Sequence, residues 1–115
     1  TDDREGLVRN YLDIMLPEDW NEMSLYDRRN FLNGGEFGSN GRTGTVKRKL
    51  VCNMEIWCEC FGRESSALKK IDSYEISGIM RKIEGWGKYT ATKNGMYNFP
   101  VYGKQRAYTR EQGTD

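Results

Sequence analysis

The stretch from Val51 to Trp86 leaves the chain few choices of fold. In Asn53-Met54-Glu55-Ile56-Trp57-Cys58-Glu59-Cys60-Phe61, apolar Met54, Trp57, Cys58 and Phe61 follow the i, i+3, i+4, i+7 spacing of a helix. Ile56 and Cys60 widen the stripe until only Asn53, Glu55 and Glu59 are left for water. A helix that apolar is expected between two layers, not on a surface. The polar hinge Gly62-Arg63-Glu64-Ser65-Ser66 stops it. A second helix is expected to open at Asp72, with Glu75 completing an acidic capping box. It would bury Ile76, Ile79, Met80 and Ile83 on one face and stop at Gly85. Two short helices joined by a polar turn form a helix-turn-helix pattern, found in DNA-binding domains and in domains that bind none.

The flanks suit that centre. Thr45 to Leu50 is β-compatible and carries the basic run Lys47, Arg48 and Lys49. Beyond the helix pair, Lys88-Tyr89-Thr90-Ala91-Thr92 reads as a strand, and Asn94-Gly95 is a strong hairpin signal. The return strand is interrupted by Pro100, as on an edge or at a bulge, and resumes from Tyr102 to Arg110. Alternation puts Lys104, Arg106, Tyr108 and Arg110 on one face, with Gln105, Ala107 and Thr109 on the other. Strand, helix, helix and basic hairpin, in that order, predict an α+β winged helix over 45–110.

Residues 1–37 predict a small two-helix adaptor packed on that body. Asp2 and Asp3 favour a helix start, Leu7, Val8, Tyr11, Leu12 and Met15 form its stripe, and Pro17 ends it. A second helix follows Ser24 as N-cap, with Asp27 in its first turn and Phe31 and Leu32 inward, and Asn33-Gly34-Gly35 closes it. The glycine-rich segment 38–44 reads as a linker. Its glycines fit no G-x-x-x-x-G-K-[ST] frame, which excludes a phosphate loop. Residues 111–115 read as a disordered tail.

Length and charge narrow the function. At 115 residues the chain has room for one core. The net charge of +1 hides an acidic first part and a basic remainder, meeting at the glycine-rich segment. Such a division suits a polyanion-binding body. No run approaches the ~20 apolar residues that a membrane-spanning helix needs, so no membrane partner is expected. The three cysteines, with no secretory segment before them, point to a reduced, cytoplasmic compartment. Without an initiator Met, the chain is expected to be a piece of a longer protein. No histidine is present to serve as a general base, and no catalytic residues are expected. Cys58 and Cys60 would point about 200° apart on a helix, and Cys52 stands alone, so neither a metal nor another cofactor is expected.

The candidate contacts to nucleic acid lie on the second helix and the hairpin. Opposite the helix's apolar face, a turn of about 100° per residue places Tyr74, Ser77, Gly78, Arg81 and Lys82. A glycine inside a helix costs ~1 kcal/mol relative to alanine, so an outward Gly78 suggests close approach of a phosphate or another backbone. Tyr74 and Ser77 offer hydrogen bonds, and Arg81 a phosphate or guanine contact. Lys88, Lys93, Lys104, Arg106 and Arg110 would add phosphate contacts from the wing.

Several segments also carry a family likeness. These are Leu12…Leu16-Pro17…Trp20, Tyr26-Asp27-Arg28-Arg29-Asn30-Phe31-Leu32-Asn33-Gly34, Met54-Glu55-Ile56-Trp57-Cys58-Glu59-Cys60-Phe61-Gly62, and Tyr102-Gly103-Lys104-Gln105-Arg106-Ala107-Tyr108. From about residue 4 to residue 110 the chain resembles the C-terminal region of the virulence-associated protein E family, replication proteins of phages and mobile elements. The resemblance implies an upstream nucleotide-hydrolysing, helicase-like domain as partner, with this chain as the tail. The expected function is therefore a DNA-binding accessory module, its second helix lying against the duplex and its wing gripping the adjacent backbone. The alternative is a winged-helix module for protein docking or oligomerisation, because fold alone does not fix function. Nothing in the sequence fixes an oligomeric state.

Overall fold

The computed structural model describes residues 3–34 and 43–111. Most of the expected linker, and all but the first residue of the expected tail, lie outside the described residues. The spine of the sheet is its longest strand, β4 (Gly103–Arg110). On one edge it pairs antiparallel with β1 (Leu50–Cys52), Val51 facing Tyr108. It also pairs with β2 (Trp86–Lys88), Gly87 facing Thr109, and with β3 (Met96–Phe99), Tyr97 facing Gln105. Ala107 joins these two: its amide donates to the Gly95 carbonyl at 2.9 Å, and its carbonyl accepts from the Tyr89 amide at 3.2 Å. β2 and β3 thus follow one another along a single edge of β4, and residues 90–94 loop out between them.

That arrangement corrects the expected hairpin. Asn94-Gly95 does turn the chain, and the Asn94 side chain accepts from the Met96 amide at 3.1 Å. The strands joined end to end, however, are β3 and β4, through a turn in which Val101 takes φ +76°. The reason lies in the side chains. Phe99 is buried and Tyr97 stacks edge-on to it at 5.0 Å, whereas Thr90, Ala91 and Thr92 bury nothing.

The helices are α1 (Asp3–Asp13), α2 (Leu25–Gly34), α3 (Asn53–Glu55, continued by a π-helical turn over Ile56–Cys60) and α4 (Lys70–Lys82). With the antiparallel sheet they make a compact α+β domain. Ser24 caps α2 as its sequence predicts, accepting from the Asp27 amide at 3.2 Å. α4 begins two residues earlier than expected, because the Asp72 carboxylate reaches back to the Lys69 amide at 3.0 Å. Asp72 is therefore inside the helix, and Glu75 pairs instead with Arg4 of α1 at 3.1 Å. None of the described helices is long and apolar enough to cross a membrane.

One main core runs through these elements. Val8, Tyr11 and Leu12 of α1 pack with Val51, with Ile56, Trp57 and Cys58 of α3, with Ile76, Ile79 and Met80 of α4, and with Ile83 and Trp86. Trp57 is buried there, its indole N–H donating to the Glu64 carbonyl at 2.7 Å. α1 is thus a wall of the main core. The segment just after α1 and the one leading into β1 are pinned to each other as well. Leu16 and Val46 exchange backbone hydrogen bonds at 2.7 and 2.8 Å, and Gly44 lies so close to the Met15 carbonyl that no side chain fits there.

Beside this core lies a buried ionic quartet: Arg28 of α2, Arg48, and Glu55 and Glu59 of α3. Arg28 donates to Glu59 at 2.9 Å and to Glu55 at 3.4 Å, and caps the Trp20 carbonyl at 2.9 Å. Arg48 reaches Glu55 at 3.4 Å and pairs with Glu59 at 3.8 Å. Tyr11 and Tyr102 donate their hydroxyls to Glu59 at 2.7 and 2.6 Å. The guanidiniums lie over aromatic rings, Arg28 on Trp20 and Arg48 on Tyr11. Glu55 and Glu59, expected to face water, face the interior. They are four apart and so share a side of α3, and that side meets two arginines. Burial pushes the Glu55 carboxyl up to about 7 and lifts the Tyr11 and Tyr102 hydroxyls well above their usual range. Above the Glu55 value, with both carboxylates ionised, the quartet carries two charges of each sign and is neutral. Taking it out of the surface count sharpens the acidic-to-basic division by one charge on each side.

Candidate nucleic-acid interface

The sequence offers ten candidate contacts, and the fold gathers five of them around one groove. Its volume is about 800 Å³, and it lies between the last turns of α4, the 89–95 loop and β4. Ser77 and Arg81 come from α4, Lys88 from β2, Lys93 from the loop and Arg106 from β4. The Cα register explains the grouping. Lys88 stands opposite Tyr108, and Met96, just past the loop, stands opposite Arg106, so both loop ends deliver their lysines beside the basic face of β4. Among the described residues no carboxylate is part of the lining itself, and the nearest acid is Glu111, whose carboxylate lies against Gly87 at one side. Arg81, Lys88, Lys93 and Arg106 are exposed, and none of them is ion-paired among the described residues. Four unneutralised cations around a concavity focus a positive potential there.

Five candidates are placed elsewhere. Tyr74 and Lys82 are exposed on α4, and neither they nor half-buried Gly78 line the groove. Lys104 is exposed on β4 opposite Asn98, toward the far end of β3. Arg110 is a correction to the basic wing face. Its guanidinium donates to the carbonyls of Arg48 and Leu12 at 2.8 and 2.7 Å, pairs with Asp13 at 3.6 Å and lies over Trp86. It ties β4 to α1 and is not available to a phosphate.

Ser77 and Gly78 also depart from the expected outward stripe. The Ser77 hydroxyl sits between helix and sheet, 3.0 Å from both the Tyr108 hydroxyl and the donating amide of Asn53. Asn53 in turn reaches Ser73, so this polar seam joins α3, α4 and β4. A Cβ at Gly78 would touch only the far end of the Arg81 side chain, at 3.8 Å. Nothing within the fold requires glycine there.

Sequence reasoning missed the groove's aromatic members, Trp86, Tyr89 and Tyr108. The signal was present in the aromatic-basic pairs Trp86…Lys88-Tyr89 and Arg106…Tyr108, but only strand register brings them face to face. The cysteines contribute no chemistry to this site. Cys52 and Cys58 are buried, and burial pushes the Cys60 thiol up to about 11 and lifts the other two as well. Raised in this way, the thiols are poor nucleophiles. Among the described residues no group of His, Cys, Asp and Glu is placed to hold a metal ion. No protein-family model matches the sequence, and no curated protein matches it.

Proposed function

We propose that this chain is a nucleic-acid-binding accessory module of winged-helix type, with DNA as its ligand, acting in the cytoplasm as the tail of a phage or mobile-element replication protein. The observation that carries the reading is the convergence of Arg81, Lys88, Lys93 and Arg106 on one groove, where cations outnumber the one carboxylate nearby, that of Glu111 beside Gly87. The order β1, α3, α4, then β2 to β4, with β1 beside the last strand, supports the winged-helix assignment. The resemblance to the virulence-associated protein E family supports the cellular role, in which an upstream helicase-like domain does the work and this module holds the strand. The mechanism is electrostatic: cations replace condensed counterions along the phosphates.

A salt titration of binding to labelled nucleic acids of unrelated sequence tests this. Affinity should fall steeply with added salt. Lys88→Ala with Arg106→Ala should reduce the log–log slope by about two while the protein stays folded. Absence of binding at low salt, or an unchanged slope in the folded double variant, would refute it. A docking role is the second reading, favoured by one observation. Ile71 and Tyr74 are 66% and 73% exposed three residues apart on α4, an apolar pair that water does not reward.

A further inference from the structure

The cations of the groove are not where a duplex would meet them. A helix that reads a major groove presents its outward face and N-terminal residues to the bases. On α4 that region carries Ile71, Asp72, Tyr74 and Glu75, with Glu75 already held by Arg4. Two carboxylates and an exposed isoleucine make a poor surface for a phosphate ridge. Arg81 sits at the opposite end of the helix, and Lys88, Lys93 and Arg106 are not on the helix at all. They surround a concavity whose size suits a small flexible ligand, space for ~2 nucleotides. A stiff duplex can rest on the rim of such a groove but cannot enter it.

The remaining lining completes the picture. Half-buried Tyr89 and Tyr108 line the same groove, beside the polar side chains of Thr90, Thr92 and Asn94, while Trp86, which also borders it, is held in the core under Arg110 and offers no free face. A cationic track next to aromatic rings is how proteins hold unpaired strands, phosphates on the charges and bases stacked on rings. Paired bases, being stacked on their neighbours, cannot use those rings. We propose that this groove takes a short run of single-stranded nucleic acid, its phosphates on Arg81, Lys88, Lys93 and Arg106 and its bases against the aromatic wall. The inference rests on the groove being a nucleic-acid site and adds which form of nucleic acid it holds.

Fluorescence anisotropy with a labelled 12-nucleotide DNA, its RNA counterpart and the corresponding DNA duplex tests it, all at one salt concentration. The single strand should bind at least ~10-fold more tightly than the duplex, with a slope near −0.7 per phosphate. Tyr89→Ala should weaken single-strand binding ~5- to 100-fold, and Tyr89→Phe should retain it. Tyr89 also packs edge-on against Tyr97, so Lys93→Glu on the exposed loop is the companion variant, and it too should weaken binding in protein with parent-like circular dichroism. A preference between the DNA and RNA strands would say which one the groove takes and would support the single-strand assignment either way. Duplex bound as tightly as single strand, or more so, would overturn this inference and leave the nucleic-acid reading standing. No binding of any of the three would overturn both. Single-strand binding that neither variant alters would remove it from this groove.

Discussion

Glu59→Gln is the substitution on which the two views of α3 part company. Read as a solvent-facing residue of a helix, Glu59 should be replaceable within about 0.5 kcal/mol. In the fold its side chain is fully buried and accepts from Tyr11, Tyr102 and Arg28 at 2.7, 2.6 and 2.9 Å, with Arg48 at 3.8 Å. Glutamine has nearly the same shape but no charge, and it turns one acceptor into a donor. Arg28 and Arg48 would then face Glu55 alone, leaving an uncompensated positive charge out of water. The quartet already holds more donors than acceptors, since the Nε atoms of Arg28 and Arg48 find no acceptor among the described residues. Breaking a buried pair in this way costs ~3–5 kcal/mol. Set against a total stability of about 5–15 kcal/mol, that is roughly a fifth or more of the whole, or a fall in Tm of roughly 10–20 °C. Urea unfolding at pH 7.5, followed by tryptophan fluorescence, measures it. Tyr102→Phe, which removes one hydrogen bond and no charge, should cost only ~1 kcal/mol. Adding Arg48→Met to Glu59→Gln should recover part of the loss, because it restores charge balance. A Glu59→Gln protein within ~0.5 kcal/mol of the parent would refute the quartet.

Other expectations follow from the same packing. Trp57→Ala should cost ~3–5 kcal/mol, and a melting point within a degree or two of the parent would place that ring outside the core. Gly44→Ala should destabilise by more than ~1 kcal/mol in thermal melts, since the new methyl meets the Met15 carbonyl, and an unchanged melt would show that this segment is not pinned. Glu55 gives a pH signature. Burial raises its folded value above that of the unfolded chain, so the folded state holds the extra proton between about 4.5 and about 7. Stability from this group is therefore highest at the acidic end and falls by ~1–3 kcal/mol as pH rises through that window. Glu55→Gln should flatten the profile, and an unchanged profile in the variant would assign the effect elsewhere.

The amphipathic faces were legible in the sequence, and the charges beneath them were not. Ile76, Ile79, Met80 and Ile83 pack as their spacing predicts, because a helical stripe depends only on neighbours in the same segment. Glu55 and Glu59 were misplaced by the rule that carboxylates seek water. Their burial depends on Arg28 and Arg48, which are distant in sequence. A hint was present: a helix apolar on nearly every side has no wet face for its acids to occupy. Likewise, Lys47-Arg48-Lys49 reads as one basic run, yet the middle residue turns inward while its neighbours stay exposed. At the groove, local patterning gave the basic residues but not their company. The loop-out at Ala107 moves Lys88 and Lys93 to the same place, and no local signal encodes that register.

The same loop-out has an evolutionary consequence. Because the chain departs from β4 at Tyr89 and rejoins it at Gly95 on the one residue Ala107, residues can be added or removed between them without sliding β3 along its partner. The far wall of the groove is thus uncoupled from the core, and its length, charge and reach are free to vary between lineages while the strands and the quartet stay fixed. Divergence of ligand preference in proteins built on this plan should concentrate in those few loop positions, and a grafted loop there should carry its preference with it.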